Sequence, residues 1–391
     1  MKVAIIGGGA CGVLAAVRLK EIDSKNEVVI FERENKILNK VFRSGNGRAN
    51  FGNTDISEYY YTNQAIILKM QEYLEKNNLE DSNQFIEGRG LLSYSDSEGR
   101  MYPLANDAKS LVSLLEYLLF LNHVEIKTGV KASVKPAGGK YEVAGQLFDY
   151  VILATGSNAS LKYKEEEQYS ILDSLSLEKD NIEPGLVGFK LYNDLDGLFG
   201  LRLKARLTLD NLESYGEVIF KEDGVSGICL MNLANYYHEN ADIYADFIPD
   251  FEDAEIWNLI QNKLKKDPNI KLYNLLIGAL PNKLLAYINK KYDNQFVYKM
   301  KKEELKEYLC EFRHFKFSIK EKYDYQNAQI ILGGIKEDCL DFFETKKYKG
   351  VYVGGELYPN AGVCGGYNLW FAFTSGLIIA NMISEDSKNE S

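Results

Sequence analysis

Gly7, Gly9 and Gly12 stand at the G-x-G-x-x-G spacing, directly after the apolar run 3–6 and directly before residues 13–19, whose apolar positions suit a helix. In this arrangement the first glycine turns the chain, the second lets a diphosphate approach the backbone, and the third lets the helix close on the strand. The helix N-terminus then offers free N–H groups and a positive dipole end to phosphate. A second apolar run, 28–31, ends in Glu32, twenty residues after Gly12, where a carboxylate reaches the hydroxyls of an adenosine ribose. A glycine turn in an ordinary βαβ unit would explain the glycines alone. The full order of strand, fingerprint, helix, strand and acid points instead to dinucleotide binding.

Other stretches carry chemistry of the same kind. The run 38–53 holds glycines and asparagines that tolerate left-handed backbone, at Gly45-Asn46-Gly47 and Asn50, with the cations Arg43 and Arg48 beside them. It leaves the carboxyl end of the second strand, so an anion or cofactor loop is expected rather than a solvated turn. The strand 150–154 ends in Thr155-Gly156, which suits close approach of a ligand to backbone. Near the other end, strand 351–353 runs into Gly354-Gly355-Glu356, followed by Gly365-Gly366-Tyr367-Asn368 and an apolar helix over 369–383.

The elements that must hold these residues form an α/β chain of 391 residues, 46% of them apolar, which is enough for more than one core. Helices are expected over 63–77 and 111–121, and strands over 124–127, 131–135 and 141–143. From 184 the pattern changes to strands at 186–191, 201–209 and 216–220, then to helices at 256–265, 272–280, 283–290 and 303–312. The expected organisation is a discontinuous dinucleotide-binding domain, 1–184 and 327–391, interrupted by a β-rich domain, 185–250, and a helical subdomain, 251–326. A net charge of −10 argues against nucleic acid or an anionic membrane as partner, and the chain has no apolar run of membrane-spanning length. With a strand starting almost at Met1, a cytoplasmic protein is expected. Five cysteines without a C-x-x-C pair and three scattered histidines suggest neither disulfide framework nor metal site.

Taken together, these motifs resemble the YhiN/BaiN-type flavoproteins, the aminoacetone oxidase family of FAD-binding enzymes within the glutathione-reductase-like FAD fold. The matching segments follow one another along essentially the whole chain, and the most specific is Gly365-Gly366-Tyr367-Asn368 after Gly354-Gly355-Glu356. The resemblance implies a Rossmann-like FAD-binding domain with an inserted β domain and helical subdomain, and FAD as cofactor. It places Gly7, Gly9, Ala10, Cys11, Gly12, Glu32, Arg33, Asn46, Gly47, Arg48, Val130, Thr155, Gly156, Gly355, Glu356, Gly366, Tyr367 and Asn368 at the cofactor. Tyr367, Asn368, Arg48 and Asn50 are the flavin-facing candidates, and the last helix would aim its positive end at the flavin pyrimidine.

Three departures from the family pattern matter. Ala49 stands where many relatives carry Cys, which removes any mechanism using that thiol. Cys364 replaces a common Thr and is read as a small packed residue. Ser157-Asn158-Ala159-Ser160 and the charged run 162–167 replace a glycine-rich segment, so substrate identity does not carry over. No second G-x-G-x-x-G follows Thr155-Gly156, so electrons must come from a substrate docked on the flavin or from a nicotinamide in the same cavity. The expected function is oxidation of a small amine, with O2 reoxidising the flavin to give H2O2. The alternatives are an NAD(P)H-dependent reductase of an activated C=C and a flavin-binding sensing module without turnover. No residue is read as a dedicated general base.

Overall fold

The computed structural model describes residues 1–159 and 169–389; Ser160 and the run 162–167 lie outside the described residues. The chain divides into two units, Met1–Glu183 with Ile330–Ser391, and Pro184–Gln329. No described helix is long and apolar enough to cross a membrane.

In the first unit, β1 (Lys2–Ile6) leads through the glycines into α1 (Ala10–Ile22) and back along β2 (Glu27–Phe31). β1 runs parallel to both its neighbours, with Ile5 opposite Ile30 of β2 and opposite Ile152 of Tyr150–Leu153. Val351–Val353 pairs in parallel beyond Tyr150–Leu153, and Glu125–Lys127 beyond β2. The two ends of the chain thus build one seven-stranded sheet. Val3, Ala4, Ile5 and Ile6 are all buried, which is why this strand is continuously apolar rather than alternating. Each such Val or Ile side chain contributes roughly 1.5–3 kcal/mol by leaving water.

α1 packs against the final helix, Tyr367–Asn389, at a distance that only glycine permits. A Cβ at Gly376 would stand 2.3 Å from the Cys11 carbonyl oxygen. The helices expected at 63–77 and 111–121 are Gln64–Lys76 and Ala108–Leu121, with the Asn63 and Asp107 side chains accepting from the first-turn N–H groups of Ile66 and Lys109. The 131–135 strand begins only at Val134, because Gly129 (φ +71°) turns the chain and the Val130 N–H is held by the Glu32 carbonyl at 2.9 Å.

The second unit is a seven-stranded antiparallel sheet with helices. Its longest hairpin pairs Arg202–Leu209 with Leu212–Phe220 across Asp210 (φ +51°), and Ala205, Leu207 and Leu209 alternate into the core. Phe315–Phe317 and Ile319–Lys322, inside the stretch read as helical, are strands of this same sheet. The expected 272–280 helix stops at Leu275: Gly278 lies at φ +86° and Pro281 follows.

Candidate functional site

The first-unit strands end on one edge, and the three fingerprint glycines there do three different things. Gly7 (φ +113°) could carry no side chain, since its Cβ would meet the Ala154 oxygen at 2.3 Å. Gly12 is equally closed, its Cβ falling 2.1 Å from the Gly7 oxygen and 2.9 Å from Ile5 Cγ2, which fixes α1 on β1. Gly9 is different: nothing lies within 4 Å of its Cβ position. It caps α1 without any side-chain hydrogen bond, so the first-turn N–H groups, beginning at Ala10, Cys11 and Gly12, point into a cradle bounded by an open glycine.

At the end of β2 the Glu32 carboxylate accepts the Gly8 N–H at 2.8 Å through Oε2 and the Glu34 N–H at 2.8 Å through Oε1. This aims the acid from β2 toward the fingerprint loop, and Val130 is tied beside it. The Arg33 guanidinium donates to Asn158 Oδ1 at 2.6 Å, two residues beyond Gly156. On the next strands Thr155 is exposed, Gly156 (φ +62°) lies 3.8 Å by its Cβ position from Glu356 Oε2, and a Gly355 Cβ would stand 3.1 Å from that of Cys11. An open glycine at an uncapped helix start, with a carboxylate held at the second strand's end, is what a diphosphate and an adenosine ribose require. The residues therefore fit an FAD.

Residues not named individually as cofactor contacts complete this edge. Lys40 Nζ lies 2.5 Å from Glu356 Oε2 and 3.1 Å from Ser157 Oγ, and the Ser157 hydroxyl donates to Glu356 Oε1 at 2.5 Å. The Ile331 N–H donates to the same Oε1 at 3.1 Å.

A second cluster gathers where the last helix starts. Residues 39–47, expected as loop, form a helix broken at Ser44–Asn46, and Gly45, Asn46, Gly47 and Ala49 all have positive φ. Asn50, with its amide oriented to satisfy its neighbours, donates to the Gly52 and Met101 oxygens and accepts the Gly366 N–H at 3.0 Å. Asn53, the last residue of the expected loop run, donates to the Gly365 oxygen at 3.1 Å. Gly366 is held so close that its Cβ would be 2.1 Å from the Gly52 oxygen. Asn368 closes its own turn, accepting the Gly362 N–H at 2.8 Å and donating to the Gly362 oxygen at 2.9 Å. Asn50, Gly366 and Asn368 are thereby brought together with Tyr367 around the helix N-terminus, with both asparagines' amides tying backbone.

Tyr367 is buried, stacked on Tyr60 at 4.6 Å, and its carbonyl accepts the Tyr61 hydroxyl at 3.0 Å. Burial, with Tyr60 and Asp55 next to it, raises its phenol well above the ordinary value, so it remains protonated at neutral pH. Arg48 is exposed, with its guanidinium 4.8 Å from the centroid of the Tyr102 ring. Asn46 and Gly47 are exposed on the same loop, and Cys364 is half-buried. Among the described residues no group of three or more His, Cys, Asp or Glu is placed to hold a metal ion.

Burial pushes the Cys11 thiol up to about 12, and the Ser375 hydroxyl opposes this only in part. The thiol form is therefore the one the fold accepts. Unfolding frees the group to ionise near its ordinary value of 9.0, so this contribution is intact below pH 9 and is lost as pH rises toward 12. Cys11→Ala is expected to reduce the drop in urea midpoint between about pH 8 and about pH 10.5 relative to wild type. An equal drop in both proteins contradicts the assignment.

The protein-family description "HI0933-like protein Rossmann domain" matches residues 1–382. A 3-dehydro-bile acid delta(4,6)-reductase of Clostridium scindens is 27% identical over 98% of this chain and 99% of its own. A ribosomal RNA dihydrouridine synthase of Haemophilus influenzae is 22% identical over 97% and 98%. Among solved structures, the 3-ketosteroid delta1-dehydrogenase of Sterolibacterium denitrificans superposes with a TM-score of 0.51 at 11% identity, covering 98% of this chain and 99% of that one, which speaks to the fold.

Proposed function

The chain belongs to the HI0933-like Rossmann-domain family and is an FAD-dependent oxidoreductase, and from that premise we propose that it reduces a C=C bond conjugated to a carbonyl, with NAD(P)H as electron donor. The observation that carries this reading is chemical agreement between relatives of full length. A delta(4,6)-reductase of a 3-dehydro compound and a synthase of dihydrouridine are both named for saturating a C=C in a carbonyl-conjugated system. The substrate is proposed to be a small molecule rather than RNA, because a chain of net charge −10 is a poor match to a phosphate backbone.

FAD bound here would supply two-electron hydride chemistry between a nicotinamide and the substrate's conjugated C=C. The α1 start and Gly9 would hold the diphosphate, and Glu32 would hold the adenosine ribose. The Tyr367–Asn389 helix directs its positive end at the negative charge that reduction develops, with Asn50, Asn53 and Asn368 fixing the approach to that end. The α-carbon takes a proton, for which the Tyr367 and Tyr60 phenols, both protonated at neutral pH and stacked on each other at the helix start, are the candidate donors.

The test is anaerobic reduction of the FAD-loaded protein by NADH, NADPH or small primary amines in turn, followed by oxygen. Rapid bleaching by a nicotinamide with slow recovery in oxygen is expected. Bleaching by an amine with rapid, peroxide-yielding recovery would establish the amine oxidase instead, and no bleaching by any donor would favour a binding module.

A further inference from the structure

Lys40, Glu356 and Ser157 form a small charged cluster on the cofactor edge that the fingerprint does not account for. Glu356 follows the strand Val351–Val353 and is largely buried, with 19% of its side chain exposed. Both its oxygens are engaged: Oε1 accepts from the Ser157 hydroxyl and the Ile331 N–H, and Oε2 meets the Lys40 ammonium. The carboxylate is thus fixed in place, and Gly156 lies 3.8 Å from it by its Cβ position. A fixed carboxylate on an edge built to receive a dianionic diphosphate is electrostatically unfavourable unless a cation stands with it, and in a partly buried site that repulsion is weakly screened.

We propose that Lys40 is a positioning residue for FAD that acts through Glu356, as the counter-ion that makes a carboxylate tolerable beside the bound cofactor. The inference rests on the reading of this edge as the FAD site. Three features of the geometry support it. Lys40 lies in the broken 39–47 helix, whose preceding residue is anchored to the fingerprint by the Leu38 N–H donating to the Gly8 oxygen at 2.8 Å. The ammonium therefore moves with the phosphate cradle. Its contacts converge on one pair, Glu356 and Ser157, including the Ser157 carbonyl at 3.5 Å. The side chain is only one-third exposed, so its charge is directed inward.

The test is a double-mutant cycle on FAD affinity, read by flavin fluorescence on the full chain for wild type, Lys40→Met, Glu356→Gln and the double variant. Stoichiometric FAD binding by wild type checks the underlying reading separately; without it, the site assignment fails before Lys40 is at issue. With it, Lys40→Met is expected to weaken FAD binding by about tenfold or more, while the same change in the Glu356→Gln background costs about twofold or less. Lys40→Arg restores most of the loss, and thermal melting of the apo proteins shows whether Lys40→Met is still folded. Unchanged affinity in Lys40→Met overturns the proposal, as does an equal loss in both backgrounds, which would mean that Lys40 acts on the diphosphate directly. If Lys40→Met does not fold, Lys40→Gln carries the same comparison.

Discussion

Gly9→Val is expected to weaken FAD binding sharply while leaving the apo protein folded. Nothing lies within 4 Å of the Gly9 Cβ position and its backbone is extended, so a β-carbon is accepted there without a clash and the apo fold is expected to survive. The space it enters is the one through which the first turn of α1 reaches a diphosphate. Affinity is expected to fall by at least about 100-fold, roughly 2.7 kcal/mol, with the apo melting temperature within about 2 °C of wild type. The contrast is Gly12→Val, whose Cβ would stand 2.1 Å from the Gly7 oxygen and which loses both stability and cofactor. Stoichiometric FAD on Gly9→Val would place the cofactor elsewhere.

Gly376→Leu is the second large effect, and it separates packing from binding. Its Cβ would lie 2.3 Å from the Cys11 oxygen and 3.2 Å from the Ala15 nitrogen, both backbone atoms of α1 that have no room to yield. Overpacking of this kind costs about 3 kcal/mol or more, read as a lower urea midpoint at unchanged slope. Because the displaced helix carries the phosphate-facing N–H groups at its start, FAD affinity falls together with stability. Gly88→Ala is the control: its Cβ would meet only the Glu80 Oε1 at 3.7 Å, and its effect stays within about 0.5 kcal/mol.

The features legible in the sequence are those fixed by local rules. The fingerprint reads directly because each glycine answers a nearby steric demand, and β1 reads as buried because a strand covered on both faces is apolar throughout. The pairing of Tyr150–Leu153 with both β1 and Val351–Val353 was approached only through the family resemblance, since register between distant strands leaves no local mark. Ser82–Gly88 was unread although its capping box, Asp81 with Gln84, is a sequence signal. Lys40 and Asn53 lie in the 38–53 run expected as an anion or cofactor loop, but their individual partners leave no local mark, and only the fold brings them to Glu356 and Gly365.

The reductase reading is tested most directly by isotope transfer. Anaerobic turnover of a small α,β-unsaturated ketone panel is run with nicotinamide deuterated at the transferring carbon, in ordinary water, and the product is analysed by mass spectrometry and NMR. The expected result is a saturated ketone carrying deuterium at the β-carbon and solvent-derived hydrogen at the α-carbon. Reduced enzyme that no such ketone reoxidises, but that oxygen reoxidises rapidly with stoichiometric peroxide, contradicts it.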